Sequence, residues 1–119
     1  MYSEKVRKHF QNPQNTGALE DATHVGREGQ PGVGNYLVMY LKVEGGRIAK
    51  ATFQTYGCVG AIACGSELTE MLIGRSPEEA LTITPEALLK SLGGLPLGKE
   101  HCAGLAIGAL RNALAGGSG

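Results

Sequence analysis

Tyr36-Leu37-Val38-Met39-Tyr40-Leu41-Lys42-Val43-Glu44-Gly45-Gly46-Arg47-Ile48-Ala49-Lys50-Ala51-Thr52-Phe53-Gln54-Thr55-Tyr56 is the stretch that decides the fold. Leu37, Met39, Leu41 and Val43 recur at period two, the spacing that puts side chains on one face of a strand. Glu44-Gly45-Gly46-Arg47 is a hairpin turn signal. Ile48 to Tyr56 reads as the return strand, with Ala49, Ala51, Phe53 and Thr55 alternating. A two-stranded ribbon with one apolar face needs a cover, and the flanking sequence offers helices to provide it.

Upstream, Tyr2 to Phe10 reads as a short helix with Tyr2, Val6 and Phe10 on one stripe, stopped at Asn12-Pro13. Asn15 to Gly34 is polar and glycine-bearing and predicts a loop, with a weak strand at best. Downstream, Gly57-Cys58-Val59-Gly60 breaks the return strand. A helix from about Ala61 to Ile73 follows, with Ala61, Cys64, Leu68, Met71 and Leu72 as its buried stripe. Ser76-Pro77-Glu78-Glu79 and Thr84-Pro85-Glu86 are helix starts: a capping side chain, then proline at the first helical position. The second of these helices runs to about Leu92 and stops at Gly93-Gly94. Leu95 to Glu100 is a loop, and a last helix begins near His101 or Cys102, carrying Leu105, Ala106, Ala109, Leu110 and Ala113. The expected fold class is α+β: a small antiparallel sheet of about three strands packed against several helices. It forms one domain over residues 1–115, with Gly116 to Gly119 as a flexible tail.

Composition narrows the function. Lys+Arg and Asp+Glu are both 11, so there is no basic surface for nucleic acid or for an anionic membrane. Aromatic residues are 5% and tryptophan is absent, which weakens any base-stacking role. No apolar run reaches the roughly 20 residues of a membrane span. Met1 leads directly into an amphipathic segment without a signal-peptide core, so the expected compartment is the cytoplasm.

The chemistry sits on three cysteines, Cys58, Cys64 and Cys102. An odd number builds no disulfide framework, and thiols in a reducing compartment are metal ligands or core residues. Cys58 lies between a strand and a helix, and Cys102 lies in the first turn of another helix beside His101. Helix amino termini favour thiolates, and thiolate with imidazole suits zinc or iron–sulfur clusters. Taken singly, either cysteine also fits as a small buried residue. Cys64 falls on the apolar stripe of its helix and reads as a packed thiol. A Cys–His nucleophile pair is disfavoured, because neighbouring helical side chains point about 100° apart. His9 and His24, remote from the cysteines in sequence, read as surface or packing residues. The expectation is a metal- or cluster-holding protein, not an enzyme.

Several motifs in order resemble the U-type iron–sulfur cluster assembly scaffolds, the family of IscU and the amino-terminal domain of NifU. They are Tyr2-Ser3-Glu4-Lys5-Val6, Asn12-Pro13, Asn15-Thr16-Gly17, Phe53-Gln54-Thr55-Tyr56-Gly57-Cys58 with Ala61-Ile62-Ala63, and Leu95-Pro96-Leu97-Gly98-Lys99-Glu100-His101-Cys102. The resemblance spans about Met1 to Leu114. It implies the α+β fold and a scaffold or carrier binding a cluster, a two-iron, two-sulfide one by preference. Cys58, Cys102 and His101 are then the ligands, Asn35 is a pocket-lining group, and Leu95, Pro96, Leu97, Gly98 and Lys99 form a partner-binding loop. The implied partners are a cysteine desulfurase, an Hsp70-type chaperone and apo-protein acceptors; the ligand count adds a homodimer when the cluster is bound, since two chains pool Cys58 and Cys102 to reach four thiolates. The family's first cluster motif, Cys-Gly-Asp, reads Val33-Gly34-Asn35 here, so one thiolate is lost and a carboxylate becomes an amide. A zinc-binding homologue, a metal-free protein that docks a desulfurase or chaperone, and a persulfide carrier using Cys102 are the alternatives.

Overall fold

A computed structural model describes residues 2–30, 32, 34–57, 59–96 and 99–116. Its elements run α1 (Glu4–Gln11), β1 (His24–Gly29), β2 (Tyr36–Glu44), β3 (Arg47–Tyr56), α2 (Val59–Leu72), α3 (Pro77–Ala80), α4 (Pro85–Leu92) and α5 (His101–Gly116). The strands form one antiparallel sheet in the order β1-β2-β3, and the helices cover one face of it. This is the α+β architecture expected from the sequence. None of the helices among the described residues is long and apolar enough to cross a membrane. Val33, Cys58, Leu97, Gly98 and the tail residues Gly117 to Gly119, all singled out above, lie outside the described residues.

The hairpin forms where the sequence places it. Gly45 and Gly46 both have positive φ, +60° and +77°, the turn geometry that matches strand twist. Leu37, Met39 and Leu41 are buried on the helix-facing side. The alternation assigned to β3 needs correction. The pairs Lys42↔Lys50 and Val43↔Ile48 leave Ala49 as an extra residue, a bulge. The bulge reverses parity, so Ile48, Ala51 and Phe53 face the core while Ala49 is exposed.

The segment expected to be mainly loop holds a full strand, β1, paired from His24↔Leu41 to Gly29↔Tyr36. Its local sequence, His-Val-Gly-Arg-Glu-Gly, has little strand propensity. Tertiary contact decides it. A β-carbon at Gly26 would overlap the Ala109 carbonyl oxygen and the Ala113 backbone nitrogen, so strand and helix backbones pack directly. Asn112 Nδ2 ties the same helix to Arg27 O at 2.5 Å. Gly65 on α2 plays the corresponding part for the Phe53 ring, which occupies the space where a side chain would stand.

The stripe assigned to α1 is also corrected. Phe10 is 45% exposed, and the buried pair is Val6 and His9. His9 turns inward because it meets polar groups on α2: Nδ1 lies 2.6 Å from Ser66 Oγ, and Nε2 lies 2.8 Å from Glu67 Oε1. Glu67 is only 4% exposed, between the buried Cys64 and Leu68 of α2. Its other oxygen, Oε2, accepts a hydrogen bond from Ser91 and pairs with Lys5 Nζ at 2.9 Å. One carboxylate therefore joins α1, α2 and α4, and Ser3 Oγ adds a 2.7 Å bond to Leu92 O at the end of α4.

Burial by itself raises the Glu67 carboxyl, but hydrogen bonds from Ser91, Lys5 and His9 outweigh it and hold the pKa below the usual 4.5. A carboxyl depressed in the folded state contributes stability that is fully present above its unfolded value. That contribution is lost as pH falls through the folded value. Denaturation by urea across acid pH should show wild-type stability falling below pH 4.5. Glu67→Gln should be destabilised by about 1–3 kcal/mol at neutral pH, with a flatter acid limb. Equal acid slopes in the two proteins would contradict the network.

Gly26→Ala should lower stability by about 1–3 kcal/mol through backbone overlap with α5. A β-carbon at Gly104, in the same helix, meets nothing within 4 Å. Gly104→Ala should therefore raise stability by about 0.4–1 kcal/mol. Thermal or urea denaturation of the two variants checks the contrast in sign.

Candidate metal or cluster site

Three chain segments meet at one end of the sheet. The first is the start of β2, where Asn35 immediately precedes Tyr36. The second is the end of β3 and the start of α2: Gly57 follows β3, and α2 begins at Val59, two residues earlier than the sequence pattern indicates. The third is the first turn of α5, with His101 and Cys102. Antiparallel pairing of Tyr36 with Tyr56 fixes the first two segments side by side, and their rings stack with centroids 6.1 Å apart. The packing of α5 on β1 brings in the third.

Asn35 is the centre of this meeting. Its Nδ2 lies 3.2 Å from His101 Nε2 and 3.9 Å from Cys102 Sγ. On its other side the amide rests against Gly57, where a β-carbon would stand 2.7 Å from Asn35 Oδ1 and 3.0 Å from Ala61 Cβ. The missing side chain at Gly57 lets the amide approach the backbone next to Cys58. Cys102 is fully buried while its neighbour His101 is exposed. The imidazole nevertheless returns to 3.9 Å between Nε2 and Cys102 Sγ. The expectation that adjacent helical positions keep these groups apart is thus corrected: in a first turn both side chains lean back toward the helix amino terminus. Beside them is a depression of about 420 Å³ lined by Glu28, Gly29, Asn35, His101, Gly104 and Leu105.

Of the predicted site residues, the structure brings together Asn35, His101 and Cys102. Cys58 is outside the described residues, although Gly57 and Val59 on either side of it border the same region. Cys64 is fully buried in the core, on the inner side of α2. In the expected docking loop, Leu95 and Pro96 are half-buried and the Lys99 N–H donates to Pro96 O at 2.9 Å. Sequence reasoning did not single out Glu28, and it read Gly57 as part of the break before Cys58 without its contact to Asn35. The Glu28 side chain lies over α5 near Gly108 and holds Asn112 Nδ2 at 3.1 Å, a contact no local pattern reveals.

An imidazole, a thiol at a helix amino terminus and an amide in contact form a donor set for thiophilic metal chemistry. The fold and the residues that carry this set define a class. The chain belongs to the NifU-like N-terminal domain family, whose model matches residues 1–116. It is 52% identical over 114 residues to the iron–sulfur cluster assembly scaffold protein IscU 1 of Archaeoglobus fulgidus, covering 96% of this chain and 74% of that protein. Identity is 44% over 115 residues to IscU of Aquifex aeolicus, covering 95% and 73%. It is 47% over 103 residues to the nitrogen fixation protein NifU of Azotobacter chroococcum, covering 85% of this chain but 33% of that much longer protein. Among solved structures, FiSufU from Fervidobacterium islandicum superposes with a TM-score of 0.75 at 22% identity, covering 95% of this chain and 96% of that one. The N-terminal part of a NifU-like protein from Brucella abortus gives 0.72 at 18%, covering 95% and 91%. At these identities the structural likeness establishes the shared fold.

The cover over Cys102 is testable. Asn35→Ala removes the amide that lies against the sulfur, and exposure governs thiol reactivity. Alkylation of Cys102, followed by mass spectrometry, should be severalfold faster in the variant. The rate at Cys64, packed in the core, should be unchanged.

Proposed function

We propose that this protein is a scaffold for iron–sulfur cluster assembly, on which a cluster is held as cargo before transfer to an acceptor. The observation that carries the reading is the convergence of Asn35, His101 and Cys102 beside the backbone that leads into Cys58. Membership of the NifU-like N-terminal family and identity with proteins named as IscU scaffolds support it. Cys58 and Cys102 serve as thiolate ligands and His101 as the third, with Asn35 shaping the pocket. The cluster is of the two-iron, two-sulfide type. Sulfur for it comes from a cysteine desulfurase, and the Leu95 to Lys99 loop is read by an Hsp70-type chaperone.

One chain offers fewer than the four thiolates usual for such clusters. Two chains meeting at this end pool Cys58 and Cys102 from each, so cluster binding and dimerisation are linked by mass action. Asn35 cannot supply the anionic oxygen that a carboxylate would offer to iron. Cargo held here is therefore released more slowly than from a Cys-Gly-Asp scaffold.

Reconstitution with ferrous iron and sulfide under anaerobic conditions, followed by iron and sulfide analysis and by light scattering on a sizing column, tests the reading. The expected product is coloured and dimeric, and chelation returns it to monomer. Cys58→Ala and Cys102→Ala should each lose stoichiometric cluster, whereas Cys64→Ala should keep it. Full cluster content in Cys102→Ala would overturn the ligand assignment. A colourless zinc-loaded protein that takes up no sulfide would overturn the scaffold role.

A further inference from the structure

His9 Nε2 and carboxylate oxygens of Glu67 and Glu70 all lie within 4.8 Å of one another. This cluster is separate from the cysteine end. Glu67 is eight residues along α2 from Val59, a rise of about 12 Å. We propose that it is a second metal site, which takes a divalent transition-metal ion on His9 Nε2, Glu67 Oε1 and Glu70 Oε1 and clamps α1 to α2.

The geometry is close to that of a metal site. Nε2 lies 2.8 Å from Glu67 Oε1 and 3.6 Å from Glu70 Oε1. Tetrahedral ligands at about 2.0–2.1 Å from an ion stand roughly 3.3 Å apart, so the two distances from the imidazole need shifts of only about half an ångström or less, and the half-exposed Glu70 side chain can turn to close the third. Glu67 and Glu70 are one helical turn apart on one face of α2, and His9 meets them from α1.

The two buried ligands are also held from behind. Ser66 Oγ, 2.6 Å from His9 Nδ1, aims Nε2 at the carboxylates. Lys5 and Ser91 both bind Glu67 Oε2, which leaves Oε1 turned toward His9. Partners on the far atom of each ligand are how metal sites fix ligand orientation. A neutral imidazole has a single Nε2 proton and satisfies one carboxylate. A cation between the three atoms satisfies both. On loading, the ion takes the Nε2 position and the imidazole proton moves to Nδ1, donating to Ser66 Oγ. That oxygen already accepts from the Gln14 N–H at 2.8 Å, and a hydroxyl accepts two such bonds.

Access comes from outside. His9 and Glu70 border a concavity of about 790 Å³ shared with Lys5, Lys8 and Gln14, and the Glu70 side chain is half exposed. The remaining coordination position faces this space and takes water. An imidazole among carboxylates selects zinc, ferrous or manganous ions over magnesium and calcium, which prefer all-oxygen shells.

Zinc titration of the full chain labelled with 15N-histidine, in the natural sequence and in His101→Ala, tests the proposal. His101→Ala removes the other imidazole expected to bind zinc. Saturating zinc should shift the His9 Nε2 resonance in both proteins. Glu70→Gln should weaken zinc binding at this site at least about tenfold. Because Glu70 is half exposed, that change should leave the melting temperature in EDTA unaltered. A His9 resonance that does not move under saturating zinc would overturn the proposal. So would equal zinc affinity in Glu70→Gln, which would make the cluster a structural hydrogen-bond network and nothing more.

Discussion

Residue 26 has no side chain, and the backbone of α5 uses the space. A β-carbon there would collide with the Ala109 carbonyl and the Ala113 nitrogen, so every larger residue pushes helix from sheet. The position of α5 sets where its first turn lies, and that turn carries His101 and Cys102. The edge of β2 sets where Asn35 lies. The 3.2 Å and 3.9 Å contacts between them are therefore a consequence of how closely one helix sits on one strand. For the proposed ligand set this matters, because metal–ligand bonds have narrow ranges and tolerate little displacement.

A second constraint acts at the other side of the molecule. Glu67 is a carboxylate inside the helical layer, and only its partners make that burial tolerable. Lys5 and His9 come from α1, and Ser91 comes from α4. These polar contacts do for the helices what Gly26 does for the sheet: they specify one arrangement where apolar contact alone would accept several. The stretch of α2 that starts beside Cys58 thus ends in a network that anchors the amino-terminal helix. The helix links the cysteine end to the rest of the core.

Much of this was legible in the residues and some was not, for identifiable reasons. The β2–β3 hairpin could be read because period two and a Gly-Gly turn agree. Its bulge could not, because one extra residue at Ala49 leaves the local pattern intact while reversing the side of Ile48. The caps at Ser76 and Thr84 were legible since each bonds within its own helix. Strand β1 was not, because its stability comes from β2 and α5 instead of from its own propensities. Hydrophobicity alone points Phe10 inward; His9 takes that place because it bonds Ser66 and Glu67, partners more than 50 residues away that leave no local signal. At the site, the motif resemblance pointed to Asn35, His101 and Cys102 together. Gly57 marks the turn before Cys58, but that the Asn35 amide fills the space beside it, and where Glu28 lies, come from tertiary packing and have no local signal.

In the proposed function, cargo iron binds at the amino terminus of α5, under the amide of Asn35. Anomalous diffraction at the iron edge, from crystals of cluster-loaded protein grown without oxygen, tests this most directly. Iron is expected within bonding distance of Cys102 Sγ, with the Asn35 side chain displaced to admit it. Iron located elsewhere, with Cys102 still packed beneath Asn35, would contradict this placement.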